Sequence, residues 1–326
     1  MSVYTTVSKA ELEHFLLQYN IGELVDFNGI TAGMENTNYF LNTTQGRYVL
    51  TLYESYSKEE LPYFLGLMQH LSANKVETIK PVANKKGELL QELCTKPAAI
   101  IERLQGDALK QSEVSVEHCR LIGNALARFH LAGKSYSPRR NNEDRCYYLS
   151  LKIIEPLLSA LSNEDQQLLK QELDFHQTIK WDQLPSGITH SDLFCDNAIF
   201  YKINNKPVLS GIIDLYLSCY DAFIYDLAII ANDWCFDSNY HLDQERYLAV
   251  LSAYDQIRPL ERIEKQAWVS MLRSAALRFW ISRLDNKLNP PEGEMVLCKS
   301  PDEYKRKLQA CLQDQEEIMR VINSSF

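Results

Sequence analysis

Two carboxylates and one amide within residues 190–214 follow each other in an order that can support chemistry. Asp192 lies in a short polar stretch, Asn197 follows five residues later, and Asp214 comes after an apolar run. Phosphoryl transfer from a magnesium nucleotide requires one carboxylate that accepts the proton of the attacking hydroxyl, and an amide with a second carboxylate that hold the metal. We therefore predict Asp192 as the catalytic base and Asn197 with Asp214 as ligands of Mg²⁺.

Each of these residues also has an ordinary structural explanation, since Asp and Asn are common at caps, turns and strand ends. The three together favour the catalytic interpretation. Asn204-Asn205 predicts the turn of a β-hairpin over 198–213, which would bring Asn197 and Asp214 to one end of the ribbon. An amide and a carboxylate are oxygen ligands of the kind that Mg²⁺ prefers.

Neighbouring polar residues are predicted to support this loop rather than to react. His190 and Cys195 lack the partners of a catalytic dyad, and we expect His190 to hold the loop through a hydrogen bond. Asp226 lies in an apolar stretch, where a carboxylate must be hydrogen-bonded, and we expect it to brace the loop.

The elements that position these residues change in character along the chain. The first third contains short strand-like runs around one helix over 58–72, whereas helical periodicity prevails from Val116 onwards. These patterns predict an α+β protein with a small antiparallel-sheet N-terminal lobe, residues 1–104, and a larger, mainly helical C-terminal lobe, residues 105–326.

Helix starts are indicated by serine caps. Ser8 and Ser57 each precede a Glu at the third following position, the pattern of a capping box. Ser300 predicts the cap of a last helix, with Glu303 as the reciprocal acceptor, that runs to about Val321.

Composition limits the possible partners and location. The formal net charge of −9 and the absence of a Lys/Arg-rich segment argue against nucleic acid and against an anionic membrane surface. No apolar run approaches the length of a membrane span, and the N-terminus lacks a secretory pattern. Eight scattered cysteines fit a reducing compartment, so we expect a cytoplasmic protein.

A possible phosphate-binding turn lies between two strand-like runs. Gly33, Asn36, Thr37 and Asn38 combine a flexible backbone with short polar side chains, which can cradle phosphates. An ordinary hairpin turn has the same composition, so this segment gains meaning only from the downstream residues.

These residues resemble the aminoglycoside phosphotransferase and choline kinase superfamily, a small-molecule branch of the protein-kinase-like fold. The resemblance covers essentially the whole chain: residues 190–197 resemble the catalytic loop, and Asp214 belongs to a segment that resembles the metal-binding one. It implies a two-lobed fold, ATP and Mg²⁺ as cofactors, and a connector between the lobes whose backbone at Glu102 and Leu104 binds adenine.

Within that superfamily, residues 33–40, 48–54, 232–235 and 278–284 are most similar to bacterial homoserine kinases of the aminoglycoside phosphotransferase type. This narrower resemblance implies ATP-dependent phosphorylation of the L-homoserine hydroxyl, a step towards threonine. The alternatives left open are a kinase for another small metabolite (choline-, methylthioribose- or aminoglycoside-like) and a non-catalytic, pseudokinase-like nucleotide-binding module. The oligomeric state is left open too.

One departure motivates the second alternative. Kinase-like enzymes usually hold the phosphates with a Lys or Arg on the third strand, paired with a helix Glu. Thr51 occupies the matching position here, and Glu60 consequently loses the expected partner. A neutral hydroxyl would bind a phosphate through one hydrogen bond, so Thr51 is predicted as a nucleotide contact of a different kind.

The resemblance also suggests where the acceptor binds. A homoserine zwitterion requires a basic group for its carboxylate and an acid or carbonyl for its ammonium. We predict Asp233 as the ammonium partner, Trp234 as a wall of the pocket, and Arg278 or Arg283 as the carboxylate partner. Because Arg278 and Arg283 are five residues apart on one helix, at most one is expected to face the acceptor.

Overall fold

The structure is a computed structural model that describes residues 4–30, 36–290 and 299–325. The chain divides into two units between Gln105 and Gly106. Among the helices of the described part, none is long and apolar enough to cross a membrane.

The N-terminal unit is built on one antiparallel sheet with the strand order β1-β2-β3-β6-β4, to which β5 adds by pairing with β6. Its elements are α1 (Lys9–Leu16), β1 (Leu24–Gly29), β2 (Asn36–Thr43), β3 (Gly46–Tyr53), α2 (Leu61–Ala73), β4 (Pro81–Val82), β5 (Gln91–Leu93) and β6 (Lys96–Glu102). The predicted antiparallel-sheet character of this region is confirmed.

The core of this unit follows the strand periodicity. Leu41, Leu50 and Leu52 are fully buried and belong to one apolar cluster with Leu12 and Phe15 of α1. Alternate residues of β2 and β3 therefore lie on the opposite face of the sheet, which carries the polar positions discussed below.

The two capping boxes of this unit have different outcomes. Ser8 and Glu11 form the reciprocal hydrogen bonds of a capping box at the start of α1, as predicted. Ser57 and Glu60 form the same reciprocal bonds, but α2 begins only at Leu61, later than predicted. Pro62 explains the start, because proline favours the first turn of a helix.

The C-terminal unit is mainly helical and contains two small sheets, β10-β9-β7 and β11-β8. Its strands are β7 (Asp107–Ala108), β8 (Ser186–Thr189), β9 (Ala198–Ile203), β10 (Lys206–Ile212) and β11 (Cys219–Ala222). Its helices are α3 (Val116–Gly133), α4 (Glu143–Tyr148), α5 (Leu151–Ala160), α6 (Asn163–Gln177), α7 (Phe223–Trp234), α8 (Gln244–Asp255), α9 (Arg262–Leu288), α10 (Pro301–Gln313) and α11 (Gln315–Ser325).

The predicted β-hairpin is confirmed as β9 and β10. Its turn residues, Asn204 and Asn205, have φ values of 50° and 62°, as a two-residue turn with two left-handed positions requires. The short β8–β11 pair was not predicted. It places the loop after Thr189 beside Cys219.

The prediction for the last helix is partly wrong. Ser300 is the cap, but Glu303 forms ion pairs with Arg283 and Lys307 instead of reaching back to it. The helix also ends at Gln313, because Asp314 leaves the helical conformation (φ −100°, ψ 14°), and α11 continues as a separate helix.

Helix α7 occupies the centre of the C-terminal unit. Every residue from Phe223 to Trp234 is buried, including Asp226 and Asp233. Buried carboxylates are unfavourable unless they are hydrogen-bonded. The hydrogen-bond partners of these two side chains therefore show which part of the fold α7 holds in place.

Candidate active site

The predicted catalytic residues lie in the loop between β8 and β9, residues 190–197. The backbone turns at Ser191, whose φ of 69° is left-handed, and the loop ends in a short 3-10 turn over Cys195–Asn197. The Asn197 side-chain nitrogen donates to the carbonyl oxygen of Asp192 at 2.8 Å, and lies 3.4 Å from Asp192 Oδ2. The structure thus brings Asp192 and Asn197 together, with Asn197 Oδ1 oriented away from this bond.

Asp214 follows β10 in the left-handed region, with φ 62° and ψ 62°. Asp and Asn tolerate this conformation better than most residues. His190 connects this point to the loop: its Nε2 donates to the Ile213 carbonyl oxygen (2.9 Å), and its Nδ1 accepts from the Asp192 N–H (3.2 Å). Burial lowers the pKa of His190, so the ring is a neutral support. The expected loop-holding hydrogen bond of His190 is present.

Asp226 of α7 binds the backbone at the start of the loop. Its carboxylate accepts the backbone N–H of His190 at 2.7 Å and that of Ser191 at 2.8 Å, and Nε2 of His130 donates a third hydrogen bond at 3.0 Å. Burial alone would raise the pKa of Asp226, but the bonds from His130 and the His190 backbone lower it below its usual range. An ionised Asp226 therefore fixes two consecutive amides next to Asp192.

His130 and Tyr254 extend this support and were missed from the sequence. His130 Nδ1 lies 2.6 Å from the Tyr254 hydroxyl. Burial lowers the pKa of His130, so the neutral ring donates from Nε2 to Asp226 and accepts at Nδ1 from Tyr254. No local pattern reveals this chain of bonds, because His130 and Asp226 are separated by 96 residues.

A second support comes from the other end of α7. Asp233 Oδ2 accepts the Cys195 N–H at 2.8 Å, and the Trp234 indole nitrogen donates to the Leu193 carbonyl oxygen at 3.0 Å. Trp234 has no exposed surface, and Asp233 is 7% exposed. Both residues were predicted to contact the acceptor. The side-chain hydrogen bonds that the structure shows for them are with the loop backbone.

Burial and the Arg278 charge act on the pKa of Asp192 in opposite directions. Burial raises the pKa of Asp192 well above the usual value of an aspartate, the Arg278 charge opposes this effect, and the Asp214 carboxylate adds to it. A carboxylate in this setting holds a proton more tightly than an exposed one. Once ionised, a state that the Arg278 charge favours, Asp192 is suited to accept a proton from a hydroxyl.

The two candidate arginines have different surroundings. Arg278 donates from Nε to Asp144 Oδ2 at 2.7 Å, also donates from Nη2 to the same oxygen, and is among the charges that act on the pKa of Asp192. Arg283 bonds the Ser300 carbonyl oxygen at 3.0 Å and pairs with Glu303, which joins α9 to α10. The structure therefore places Arg278, and not Arg283, in the electrostatic environment of Asp192.

The N-terminal unit contains the predicted nucleotide contacts. Thr51 Oγ1 donates to Asn38 Oδ1 at 2.7 Å across the β2–β3 pair. Asn36 shares this face by alternation, and its buried Oδ1 has no hydrogen-bond partner within the described residues. Thr37 lies on the opposite face, where its hydroxyl bonds Glu54 at 2.7 Å. The structure thus groups Asn38 with Thr51 and separates Thr37 from them.

Two of the remaining predicted contacts, Glu102 and Leu104, lie at and after the end of β6. Glu102 ends β6, where its N–H donates to the Lys80 carbonyl oxygen at 2.8 Å and its carboxylate pairs with the Lys80 ammonium. Leu104 follows in irregular backbone and is partly exposed. Gly33 lies outside the described residues. Glu60, whose lysine partner is missing, is engaged with Ser57 instead.

Within the described residues, no group of three or more His, Cys, Asp or Glu side chains could hold a metal ion. The predicted ligand pair does not need such a group, because Asn197 supplies an amide oxygen and Asp214 one carboxylate. Hard cations bound with a nucleotide take several ligands from phosphate and water. The donor types at this position therefore fit Mg²⁺.

Comparison with known proteins places these features in a family. Residues 26–260 match the model of the phosphotransferase enzyme family. The chain is 41% identical over 321 residues to the homoserine kinase of Methylobacillus flagellatus, covering 98% of each protein. It is 43% identical over 317 residues to the homoserine kinase of Nitrobacter winogradskyi, covering 94% of each.

Solved structures show the same fold at low sequence identity. The chain resembles amicoumacin kinase hAmiN in complex with AMP-PNP, with a TM-score of 0.67 at 15% identity, covering 97% of this chain and 94% of that one. It resembles a microcompartment-associated aminopropanol kinase with a TM-score of 0.62 at 12% identity, covering 98% of each. The predicted protein-kinase-like fold is confirmed, and the chain belongs to the phosphotransferase enzyme family.

Proposed function

We propose that this protein transfers the γ-phosphoryl group of ATP to the hydroxyl of L-homoserine, forming O-phospho-L-homoserine and ADP. The observation that carries the proposal is the similarity, over 98% of the chain, to a protein named homoserine kinase. The loop supports phosphoryl transfer, because Asn197 is bonded to Asp192 and the residue before Asp214 donates to the Asn197 carbonyl oxygen, and this chemistry uses residues of these types.

Asp192 acts as the base in this proposal. The homoserine hydroxyl passes its proton to the Asp192 carboxylate as its oxygen forms a bond to the γ-phosphorus, and the bond to the β-phosphate oxygen breaks to release ADP. A carboxylate with a raised pKa accepts this proton more readily than an ordinary aspartate. The hydrogen bonds that Asp226 accepts from two adjacent backbone amides keep the base in place.

Asn197 Oδ1 and the Asp214 carboxylate are the proposed ligands of Mg²⁺, which supplies charge neutralisation for the phosphates when it is bound with ATP. The Asn197 amide nitrogen donates to the Asp192 carbonyl oxygen, so Oδ1 is the atom that would bind the metal. The Ile213 N–H, next to Asp214, donates to the Asn197 carbonyl oxygen at 3.0 Å, which supports a shared site.

The N-terminal unit is proposed to bind the nucleotide. Asn38 and Thr51 form a neutral pair of polar groups on one face of the sheet, and with Gly33 and Asn36 they would contact the phosphates. Thr37 is the weakest member of the predicted set, because its hydroxyl is used on the other face. The backbone at Glu102 and Leu104 is proposed to bind adenine. A cytoplasmic location remains a prediction from the scattered cysteines.

An acceptor panel tests the proposal. Purified protein with Mg-ATP is given L-homoserine, choline, methylthioribose or an aminoglycoside, and ADP release is measured. We expect L-homoserine to give by far the highest kcat/KM, and the Asp192→Asn variant to report the background rate. Equal rates with and without homoserine, or a clear preference for another acceptor, would refute the substrate assignment.

A further inference from the structure

An ion pair between Arg278 of α9 and Asp144 of α4 lies beside the catalytic loop. Phe194, in the loop, packs against Phe279 with ring centroids 4.7 Å apart, and the Arg278 guanidinium carbon lies 4.0 Å from the centroid of the same Phe279 ring. This chain of contacts places Arg278 against the loop. Both charges also act on the pKa of Asp192, Arg278 lowering it and Asp144 raising it.

Helix α4 is fixed in place without help from the Asp144–Arg278 pair. Asn142 donates to Asp221 at 2.6 Å, and Arg145 donates to both oxygens of the same carboxylate at 3.1 and 3.0 Å. Arg145 also stacks on the Trp181 ring at 3.6 Å. Since these contacts anchor the residues on both sides of Asp144, an anchoring role does not explain the Asp144–Arg278 pair.

The pair also differs from the structural ion pairs of the same unit. Arg273 binds Glu172 through two parallel bonds that use both carboxylate oxygens, and the Glu172 side chain is 1% exposed. Arg278 directs both of its donors to Oδ2 of Asp144, whose side chain is 23% exposed. Asp144 Oδ1 and Arg278 Nη1 are thus without hydrogen-bond partners among the residues that the structure describes.

A pair with one donor and one acceptor still available suits a zwitterion. The carboxylate of an α-amino acid can bind the guanidinium while its ammonium binds the aspartate, so that the four charges alternate in sign. A simple cation or a simple anion would satisfy one member of the pair and approach the other with like charge, which disfavours it. The pair therefore selects molecules that carry both charges on one carbon.

We propose that Arg278 and Asp144 together bind the amino-acid end of the acceptor, Arg278 its α-carboxylate and Asp144 its α-ammonium, beside the base Asp192. The inference rests on the proposed function, since it names the residues that recognise the acceptor at that site. It assigns to Asp144 the role that the sequence suggested for Asp233, whose carboxylate instead holds the Cys195 amide.

The test uses acceptors that each lack one charge. L-Homoserine carries both groups, 3-aminopropan-1-ol lacks the carboxylate, and 4-hydroxybutanoate lacks the ammonium. We expect Arg278→Gln to lower the preference for L-homoserine over 3-aminopropan-1-ol, the ratio of their kcat/KM values, on the order of 100-fold. We expect Asp144→Asn to lower the preference for L-homoserine over 4-hydroxybutanoate in the same way. Any effect of the lost charge on Asp192 changes both kcat/KM values alike and cancels in these ratios. The KM for ATP should not change in either variant.

Arg273→Lys is the matched control, because it alters an ion pair on the same helix away from the loop. We expect it to lower thermal stability and leave the acceptor preference unchanged. The double variant Asp144→Asn/Arg278→Gln removes both charges, which avoids leaving one of them buried and unpaired. If either single variant is unstable, the double variant should still fold and show no preference for L-homoserine over the two analogues.

The outcomes separate this inference from the proposed function. Wild-type turnover of L-homoserine together with variants that lose all acceptors in equal proportion would overturn the inference and leave the function standing. A wild-type protein that prefers a different acceptor would refute the function. In that case the inference survives if the preferred acceptor is another α-amino acid and falls if it is not.

Discussion

The catalytic loop and the β2–β3 strand pair both carry predicted site residues, but they hold them by different means. The loop is bonded to α7 by two buried carboxylates and an indole, from Asp226, Asp233 and Trp234. The strand pair is positioned by its backbone ladder, and the side-chain bond from Thr51 to Asn38 joins the two strands on the polar face. Irregular backbone needs such dedicated partners, whereas paired strands satisfy their own amides. Mutations should therefore be far more damaging in and around the loop.

The largest effect is expected for Asp192→Asn. Loss of the base should lower kcat for L-homoserine by about 10²–10⁴-fold with little change in ATP affinity. Because burial raises the pKa of Asp192, its ionised form is unfavourable in the fold, and the variant should be at least as resistant to thermal unfolding at neutral pH. Steady-state kinetics, calorimetric ATP binding and thermal unfolding measure the three quantities. A parallel loss of ATP binding would argue against a role as base.

The next effect is expected for Asp226→Asn, which removes a buried charge that accepts three hydrogen bonds. The free energy of unfolding should fall by about 3 kcal/mol, the usual result of breaking a buried charged network, and kcat should fall as the loop loosens. Asp237→Asn is the control, because Asp237 also accepts backbone amides but is exposed. If Asp226→Asn and Asp237→Asn had the same free energy of unfolding, Asp226 would not be the residue that stabilises the loop.

The pH dependence of unfolding provides a separate check on Asp226. Its pKa is lowered in the folded state, mainly by hydrogen bonds that overcome the effect of burial. The stabilisation is therefore present above the usual aspartate pKa and is lost as pH falls through the lowered value. Wild-type stability should decline in acid more steeply than that of Asp226→Asn. Identical acid profiles would contradict the assignment.

A smaller effect is expected for Tyr254→Phe, which removes the hydroxyl that donates a hydrogen bond to His130 Nδ1. The unfolding free energy should fall by about 1 kcal/mol, as for one buried hydrogen bond, and kcat should change little because the bonds of Asp226 remain. Chemical denaturation with parallel kinetics measures both. A loss of kcat as large as that of Asp226→Asn would mean that the hydroxyl controls the orientation of His130 and, through it, the loop.

The smallest effect is expected for Thr51→Val, on the other side of the comparison. The variant keeps the shape of the strand and removes one hydrogen bond, so the KM for ATP should rise by no more than about 5-fold with kcat unchanged. Asn42→Ala, on the same strand as Asn38, is the control and should leave the KM for ATP unchanged. A rise of about 100-fold would mean that the Thr51 hydroxyl carries a large share of the phosphate binding, and it would remove the contrast between the two regions.

The sequence revealed the parts of the fold that rest on local patterns. The hairpin over 198–213 was predictable because Asn204-Asn205 marks its turn, and the loop residues were predictable from their order. The β8–β11 pair was not, because two strands of four residues carry too little periodicity and pair across about thirty residues of intervening chain. The partners of Asp226 and Arg278 escaped for the same reason, being 96 and 134 residues away.

The two carboxylates of α7 have a consequence for how this protein tolerates changes in length. Asp233 follows Asp226 by seven residues, which is two helical turns, so both side chains leave the helix in nearly the same direction. Inserting or deleting one residue between them would turn one carboxylate by about 100° away from the loop. Compatible insertions are therefore expected before Phe223 or after Trp234, whereas within α7 the number of residues is fixed by the span of the loop that it holds.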